Sequence, residues 1–293
     1  MEEWFHNCWV EEFVEPAKRP HLTEELDWLL PRLGEELART GAHATFFVLG
    51  EVARRVATRL RDLLSAGHEI ACHSFHHLRA NDLSCAAFGS AIAEAKSVLE
   101  DVVGREVRGF RAPEWSLRGP LNPRLRLVAE AGFSYDSSLM PAAGAGSAAN
   151  PRQPVELRWP DGLSIVEFPP LTWGGRLRLP ASGWCGRVAS PRWILAAARA
   201  EMRRGGMPLL VIHPWELVER GTPGFLSGFA RFFHDAARDG FLERFRATLS
   251  GLPWQTVAGA SGFASRARVP EAALATRAAT VPRLSPQLRP VAQ

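Results

Sequence analysis

Short apolar runs alternate with longer amphipathic segments along most of the chain. Strand-like runs occur at 44–49, 69–72, 107–111, 163–168, 208–212 and 254–257. Segments with apolar residues at helical spacing lie at 22–40, 51–66, 84–103, 122–132 and 190–205, and 223–250 predicts one or two further helices. Repeated strand-then-helix units are typical of a parallel sheet with helical crossovers. The pattern therefore predicts an α/β fold, either a barrel or a partial barrel.

Residues at helix ends support this division of the chain. Thr23 is followed by two glutamates and is suited to cap the first helix, while Pro31 inside that helix predicts a kink or a break. Asn122 with Pro123 is a typical helix opening. By contrast, 173–187 contains four glycines and predicts an irregular excursion.

Four basic side chains follow predicted strands at their carboxyl ends. His73 and His77 come after one strand, Arg111 ends another and His213 ends a third. In a barrel of parallel strands these positions share one rim, where active sites form. Two histidines four residues apart on a helical turn can bind one metal ion. Taken singly, each of these residues is more often a surface or packing residue than a functional one, but together they favour a functional site.

Length and composition suit one large globular domain, with 293 residues, 46% hydrophobic and 23% charged. The sequence has no apolar run of about 18 residues that could span a bilayer. The opening Met-Glu-Glu-Trp-Phe-His lacks the basic and apolar regions of a signal peptide. We therefore expect a soluble, cytoplasmic protein without a membrane span.

The net charge of +4 does not indicate nucleic-acid binding, because the excess lies in one segment. From Arg266 to the end, five arginines face one acid, Glu271, which accounts for the whole excess. This segment is rich in alanine, proline and arginine and has little apolar periodicity. We expect a folded domain over 1–263 and a disordered basic tail over 264–293.

The four cysteines are scattered and form no Cys-x-x-Cys pair. Neither a zinc ribbon nor a disulfide framework is indicated, and small buried apolar side chains are the expected role. Cys72 adjoins His73 but is the weaker candidate ligand, because adjacent residues of a strand point to opposite faces. The cysteines are Cys8, Cys72, Cys85 and Cys185.

From Glu2 to about Phe263 the sequence resembles the polysaccharide deacetylases with a NodB-homology domain, carbohydrate esterase family four. Within this family, the sequence is most similar to deacetylases encoded beside exopolysaccharide and exosortase (PEP-CTERM) gene clusters. The resemblance rests on Ala44-Thr-Phe-Phe-Val-Leu-Gly50, His73-Ser-Phe-His-His77, Arg108-Gly-Phe-Arg-Ala-Pro113, Tyr135-Asp-Ser-Ser138 and His213-Pro-Trp-Glu216.

The resemblance implies a distorted (β/α)7-type barrel that hydrolyses N-acetyl groups on an amino-sugar polysaccharide or oligosaccharide. It also implies a divalent metal, usually zinc, bound by one carboxylate and two histidines. These map to Glu2, His73 and His77, with Glu3 as an alternative carboxylate. Such a set of ligands leaves a position open for water or the acetyl oxygen.

The same resemblance assigns roles around the metal. His213 is implied as the general acid, Arg111 as the residue that orients the catalytic base, and a backbone N–H after Pro113 as an oxyanion donor. Asp136 is implied either as a partner of His213 or as a turn cap.

Four tryptophans near the motif segments are candidates to stack on sugar rings, with core or rim packing as the alternative. Trp115 and Trp215 are the substrate-binding candidates chosen from the set Trp115, Trp173, Trp184 and Trp215.

The chain departs from the family pattern at its start. In relatives the first strand ends in an aspartate that serves as the base, and this position would lie immediately before Met1. We therefore expect most of the first strand and the base to be missing, with Met1 at a family valine position, as a GUG codon read as a start would produce. In-frame codons upstream test this hypothesis. With a genuine start, activity should be weak, because losing a general base costs ~10²–10⁴-fold.

Two other functions stay open. One is hydrolysis of a small non-sugar C–N bond, such as that of a cyclic ureide, on the same scaffold. The other is a catalytically silent protein that binds carbohydrate. The polymer, the native metal and the oligomeric state are not indicated by the sequence.

Overall fold

The computed structural model describes residues 1–2, 4–6, 14, 25–218, 226, 228–260 and 287–290. The predictions for Glu3, Cys8 and Thr23 lie outside these residues. Among the helices that the structure describes, none is long and apolar enough to cross a membrane.

Helices and strands alternate through the first half of the chain. The helices there are α1 (Glu25–Thr40), α2 (Gly50–Ala53), α3 (Ala57–Ser65), α4 (Cys85–Val103) and α5 (Pro123–Glu130). The strands are β1 (Thr45–Val48), β2 (Glu69–Cys72), β3 (Gly109–Phe110) and β4 (Tyr135–Asp136).

The second half adds strands first and then helices. Its strands are β5 (Val155–Arg158), β6 (Ser164–Glu167), β7 (Thr172–Trp173), β8 (Leu179–Pro180) and, near the end of the chain, β9 (Gln287–Pro290). Its helices are α6 (Gly183–Val188), α7 (Pro191–Arg203), α8 (Gly228–Asp235), α9 (Phe241–Leu249) and α10 (Val257–Ala260).

One seven-stranded sheet organises the molecule, in the order β1-β2-β3-β4-β6-β5-β9. The neighbouring strands β1, β2, β3, β4 and β6 pair in parallel, while β5 is antiparallel to both β6 and β9. The predicted α/β class and parallel sheet are confirmed. Because the parallel strands point one way, the loops after β1, β2, β3 and β4 meet at one edge of the sheet.

Two predicted strands are wrong. The run at 208–212 belongs to no strand: the Leu209 carbonyl accepts a bond from Leu171 N at 2.8 Å, so this segment packs beside the β7–β8 hairpin. The run at 254–257 is also not a strand, and Val257 begins α10. Within the described residues the sheet is therefore open at β1.

Local capping explains most helix limits. Ser84 Oγ accepts a bond from Ala87 N at 3.1 Å to begin α4, and Gly104 ends it with a φ of 67°. Asn122 Oδ1 accepts from Arg124 N at 3.0 Å to begin α5. The predicted break at Pro31 is wrong, since α1 continues through it. The helix predicted at 51–66 is divided into α2 and α3.

The segment predicted to be irregular and the tail both contain regular structure. Residues 173–187 include β8 and most of α6. In the tail, Gln287–Pro290 forms β9 against β5, so the expectation of disorder is not met there. For 264–286 and 291–293, which the structure does not describe, disorder stays a prediction.

A buried carboxyl pair lies in the middle of the sheet. Asp136 of β4 is in register with Glu167 of β6, and neither side chain is exposed to solvent. Burial and the neighbouring Asp136 raise the pKa of Glu167 well above its usual value, and burial raises the pKa of Asp136. The pair is stabilised in a protonated form.

The close contact of Gly109 with Tyr135 predicts a steric requirement between β3 and β4. A Cβ atom at position 109 would overlap the Tyr135 ring, whereas one at Gly89 of α4 has open space. Gly109→Ala should lower the free energy of unfolding by about 1–3 kcal/mol in urea titrations. Gly89→Ala is the control and should be neutral or stabilising. Equal effects of the two variants would contradict the packing of β3 on Tyr135.

The raised pKa of Glu167 predicts a dependence of stability on pH. A carboxyl with a raised pKa contributes its stability below its unfolded pKa of about 4.3, and loses that contribution as pH rises through the folded value. Glu167→Gln removes the titration, so its free energy of unfolding relative to wild type should increase from pH 5 to pH 8. Urea unfolding at several pH values measures this, with Glu156→Gln on β5 as the control. A constant difference between Glu167→Gln and wild type would show that Glu167 does not titrate anomalously.

Candidate metal centre

Glu2, His73 and His77 converge at the carboxyl edge of the sheet. Glu2 precedes a 3₁₀ turn at Trp4–His6, and His73 directly follows β2. Glu2 Oε2 lies 2.8 Å from His77 Nε2 and 3.4 Å from His73 Nε2. One ligand atom from each residue lies within 4.8 Å of the others, and all three residues are buried. The predicted set is therefore brought together.

The backbone orients His73 toward Glu2. Its Nδ1 lies 2.7 Å from the Arg111 carbonyl oxygen, which accepts the proton of that nitrogen. Nε2 is then left with its lone pair on the Glu2 side of the ring. A ring held in this way from behind is the usual arrangement of a metal-binding histidine.

The charges at this cluster suit a cation. Burial alone would raise the pKa of Glu2, but His77, His73 and His213 outweigh it and hold that pKa well below its usual value. Burial lowers the pKa of His73 to about 3. At neutral pH the cluster is thus an anionic carboxylate with at least one neutral imidazole, and both are metal-binding forms.

The three residues fit a divalent metal. Bonds of about 2.0–2.1 Å to a tetrahedral ion place neighbouring ligand atoms roughly 3.3 Å apart, close to the separations found here. Within the part of the chain that the structure describes, Glu2 Oε2 is buried and makes no hydrogen bond of good geometry, as expected of an oxygen placed for an ion. Cys72 is not part of the cluster, and burial raises the pKa of its thiol to about 12, so it stays protonated.

His213 faces the cluster from the opposite wall. Its Nε2 lies 3.7 Å from Glu2 Oε1, and about 30% of its side chain is exposed. Burial lowers the pKa of His213, but the carboxylates of Glu216 and Glu2 outweigh it and raise the pKa above the usual value. The ring is therefore suited to carry a proton beside the cluster.

Glu216 and Arg187 hold His213, and sequence reasoning missed both. Glu216 Oε2 accepts from His213 N at 2.8 Å and lies 3.2 Å from His213 Nδ1, while Oε1 lies 2.6 Å from Arg187 Nη1. The spacing in His-Pro-Trp-Glu was a usable signal for Glu216, because a proline-initiated turn brings the fourth residue of the motif back to the first. No comparable signal exists for Arg187, which lies far away in sequence.

Asp136 is not the partner of His213. Its Oδ1 accepts from Ser138 Oγ at 2.6 Å and its Oδ2 from Ser138 N at 3.2 Å. This is the alternative role, in which an aspartate caps a turn.

The Arg111 side chain lies beside the site and is 7% exposed. It donates from Nε to the Ser137 carbonyl at 3.1 Å and from Nη2 to Ser137 Oγ at 2.9 Å. Its guanidinium lies 4.0 Å from the centre of the Phe47 ring and 5.1 Å from that of Trp115. Arg111 is thus held rigidly on one wall, with Trp115 packed against it.

Pro113 opens a strained turn at the site. In the 3₁₀ segment Pro113–Trp115, Glu114 and Trp115 adopt positive φ values of 53° and 54°, a left-handed conformation that non-glycine residues rarely occupy. Strain of this kind is common at functional sites, because surrounding contacts must hold it in place. Here Glu114 is paired with Arg79 at 2.8 Å.

Trp215 does not present a free face to a sugar. It is 3% exposed and stacks between the rings of His213 and His234, whose centres lie 6.0 Å and 5.2 Å away. Its role is packing under His213. Trp115 and Trp184, together with the small exposed part of Trp215, line a cavity of about 1000 Å³ that is also lined by Glu2, His73, His77 and His213.

A family model matches the region that carries the two histidines, and two known proteins match parts of the chain. Residues 29–135 match the family model described as polysaccharide deacetylase. A peptidoglycan deacetylase of Helicobacter pylori is 25% identical over 111 residues, which are 38% of this chain and 37% of that protein. A chitooligosaccharide deacetylase of Azorhizobium caulinodans is 36% identical over 89 residues, 29% of this chain and 42% of that protein. The matches span less than half of each relative.

The fold has a known counterpart. A crystal structure from Mycobacterium smegmatis, described as a polysaccharide deacetylase, has a TM-score of 0.53 and 28% sequence identity, and the match covers 87% of this chain and 81% of that one. The α/β fold is therefore that of the deacetylase structures, which have the form of a distorted barrel. In sequence, through residues 29–135, and in fold, this chain is thus similar to polysaccharide deacetylases.

Proposed function

We propose that this chain is a metal-dependent hydrolase that removes N-acetyl groups from an amino-sugar polysaccharide. The observation that carries the proposal is the buried cluster of Glu2, His73 and His77, with His213 3.7 Å from Glu2. The names of the two relatives support the substrate class, because peptidoglycan and chitooligosaccharides both carry N-acetylated amino sugars. The cavity of about 1000 Å³ is large for a small cyclic ureide and suits a sugar polymer better.

The residues of the chain divide the reaction between them. Glu2, His73 and His77 would hold the metal, for which zinc is the best match to this donor set. When bound, the metal polarises the acetyl carbonyl and lowers the pKa of a water molecule. Water adds to the carbonyl carbon, the C–N bond breaks, and acetate and the free amine leave. His213, held as the imidazolium by Glu216, donates its Nε2 proton to the departing amine.

We further propose that the polymer is an exopolysaccharide and that a longer chain supplies the general base. The wording of the motif segments supports the first statement. For the second, Met1 is 8% exposed, and its carbonyl accepts a bond from Leu49 N at 3.4 Å beside the open edge of β1. A strand upstream of Met1 would lie along β1, and its last residue would directly precede Met1, two positions before Glu2. A chain extended by the upstream codons should release acetate ~10²–10⁴-fold faster than the chain beginning at Met1. Equal rates would exclude an upstream base.

Removal of a ligand should abolish metal binding without loss of the fold. His73→Ala should lower zinc affinity at least about 100-fold, more than changes to residues behind a ligand usually do, and should abolish acetate release from an N-acetylglucosamine oligomer. Zinc titration calorimetry and an acetate assay measure the two effects.

His76→Ala is the matched control, because His76 lies in the same loop but points to Glu51 at 2.8 Å and is largely exposed. It should leave both quantities unchanged. Zinc binding of His73→Ala at wild-type affinity would overturn the assignment of the ligands.

Removal of the proton donor should separate catalysis from metal binding. His213→Gln should retain zinc at the wild-type stoichiometry and affinity, because His213 is not one of the three ligands. Its kcat for acetate release should fall ~10²–10⁴-fold, the usual contribution of a general acid. A loss smaller than tenfold would assign proton donation to another group.

A further inference from the structure

We propose that Arg187 is a positioning residue for His213: it fixes the Glu216 carboxylate, and Glu216 in turn fixes the His213 ring with Nε2 toward the metal cluster. The catalytic meaning of this role rests on the proposed function. The positioning itself does not, and it can be measured separately.

Arg187 is buried far more completely than is usual for arginine. It lies in α6 with 1% of its side chain exposed, the same fraction as for Glu216. Its Nη1 lies 2.6 Å from Glu216 Oε1. Burying two charges is unfavourable unless each has close partners, so the stability of this pair depends on its geometry.

The other two nitrogens of the guanidinium also donate hydrogen bonds. Nε donates to the Ala236 carbonyl at 2.9 Å, and Nη2 donates to the carbonyls of Phe233 at 2.5 Å and His234 at 3.4 Å. These carbonyls lie at the carboxyl end of α8, where the helix dipole favours a cation. The guanidinium plane is therefore set by α8, independently of His213.

Glu216 uses its two oxygens for different partners. Oε1 binds Arg187, while Oε2 accepts from His213 N at 2.8 Å and faces His213 Nδ1 at 3.2 Å. Because Arg187 holds Oε1, the carboxylate cannot rotate away from the imidazole. The proton of His213 is then kept on Nδ1 in the neutral ring, and Nε2 is the site that gains and gives a proton.

A second buried arginine in the same part of the fold, Arg238, provides a control for Arg187. Arg238 is also buried, at 7% exposure, and lies 5.9 Å from the Trp215 ring, compared with 5.2 Å for Arg187. It donates to the Val218 carbonyl at 2.6 Å and contacts His234, not Glu216. Loss of Arg238 removes a buried cation here without touching the His213–Glu216 pair.

The first experiment measures the His213 ring directly. The metal-free chain is labelled with ¹⁵N-histidine, and the ring nitrogens of His213 are assigned by comparison with His213→Gln. At a pH high enough to deprotonate the His213 ring, wild type should show the Nδ1–H tautomer. Arg187→Ala should show a mixture of tautomers, whereas Arg238→Ala should keep the wild-type signal. An unchanged tautomer in a folded Arg187→Ala variant would overturn the proposal, whatever the activity of the chain.

The second experiment uses chemical rescue. Arg187→Ala should lower kcat ~10–100-fold with little change in KM or zinc content, in the range found for residues that hold a catalytic or metal-binding group from behind. Added methylguanidinium should restore both kcat and the Nδ1–H tautomer. Arg187→Met fills the same space and should not be rescued. If Arg187→Ala does not fold, Arg187→Lys keeps the charge but not the planar fork, and should show an intermediate tautomer ratio.

An equal loss of kcat in Arg238→Ala would show that Arg187 is only a packing residue and would overturn the proposal. Rescue of Arg187→Met by methylguanidinium would do the same. If the chain extended by the upstream codons releases no acetate while Arg187→Ala still changes the tautomer, the proposed function fails and the positioning role stands.

Discussion

The site depends on one buried negative charge, the carboxylate of Glu2. A carboxylate that is 4% exposed is costly to ionise unless positive or hydrogen-bonding groups surround it. Three imidazoles surround this one, those of His73, His77 and His213. The surrounding contacts serve mainly to hold those rings in place, and a bound cation would complete the neutralisation.

The sheet extends its hydrogen-bond ladder into the site. His73 N donates to the Val48 carbonyl and Arg111 N to the Cys72 carbonyl, each at 2.9 Å. One step further along, Ser137 N donates to the Phe110 carbonyl at 2.9 Å. Each bond is donated by the residue directly after a strand, so the backbone of the first loop residue is positioned as precisely as the sheet. Such placement is more exact than a free loop could provide.

The parts of the fold that could be predicted are those with a strong local signal. The run before His73 is short, apolar and closed by polar residues, and it forms a strand over 69–72 as predicted. The run at 208–212 has the same local character but packs beside the β7–β8 hairpin, because sequence periodicity does not say which partner an apolar run will find. The Asp136–Glu167 pair could not be predicted either. It depends on β4 pairing with β6, although β5 lies between them in the sequence. Within the site, positions after strands were found, whereas Arg187 required the tertiary packing of α6 on α8.

Arg111 contacts its surroundings through both its side chain and its main-chain carbonyl, and substitutions affect the two contacts differently. The Arg111 side chain donates to Ser137 in the cavity wall, whereas the contact with His73 is made by the main-chain carbonyl of Arg111. Since every amino acid carries that carbonyl, the orientation of His73 is insulated from substitutions at 111, while the wall is not. Sequence divergence at this position can therefore remodel that wall of the cavity and leave the contact with the imidazole intact.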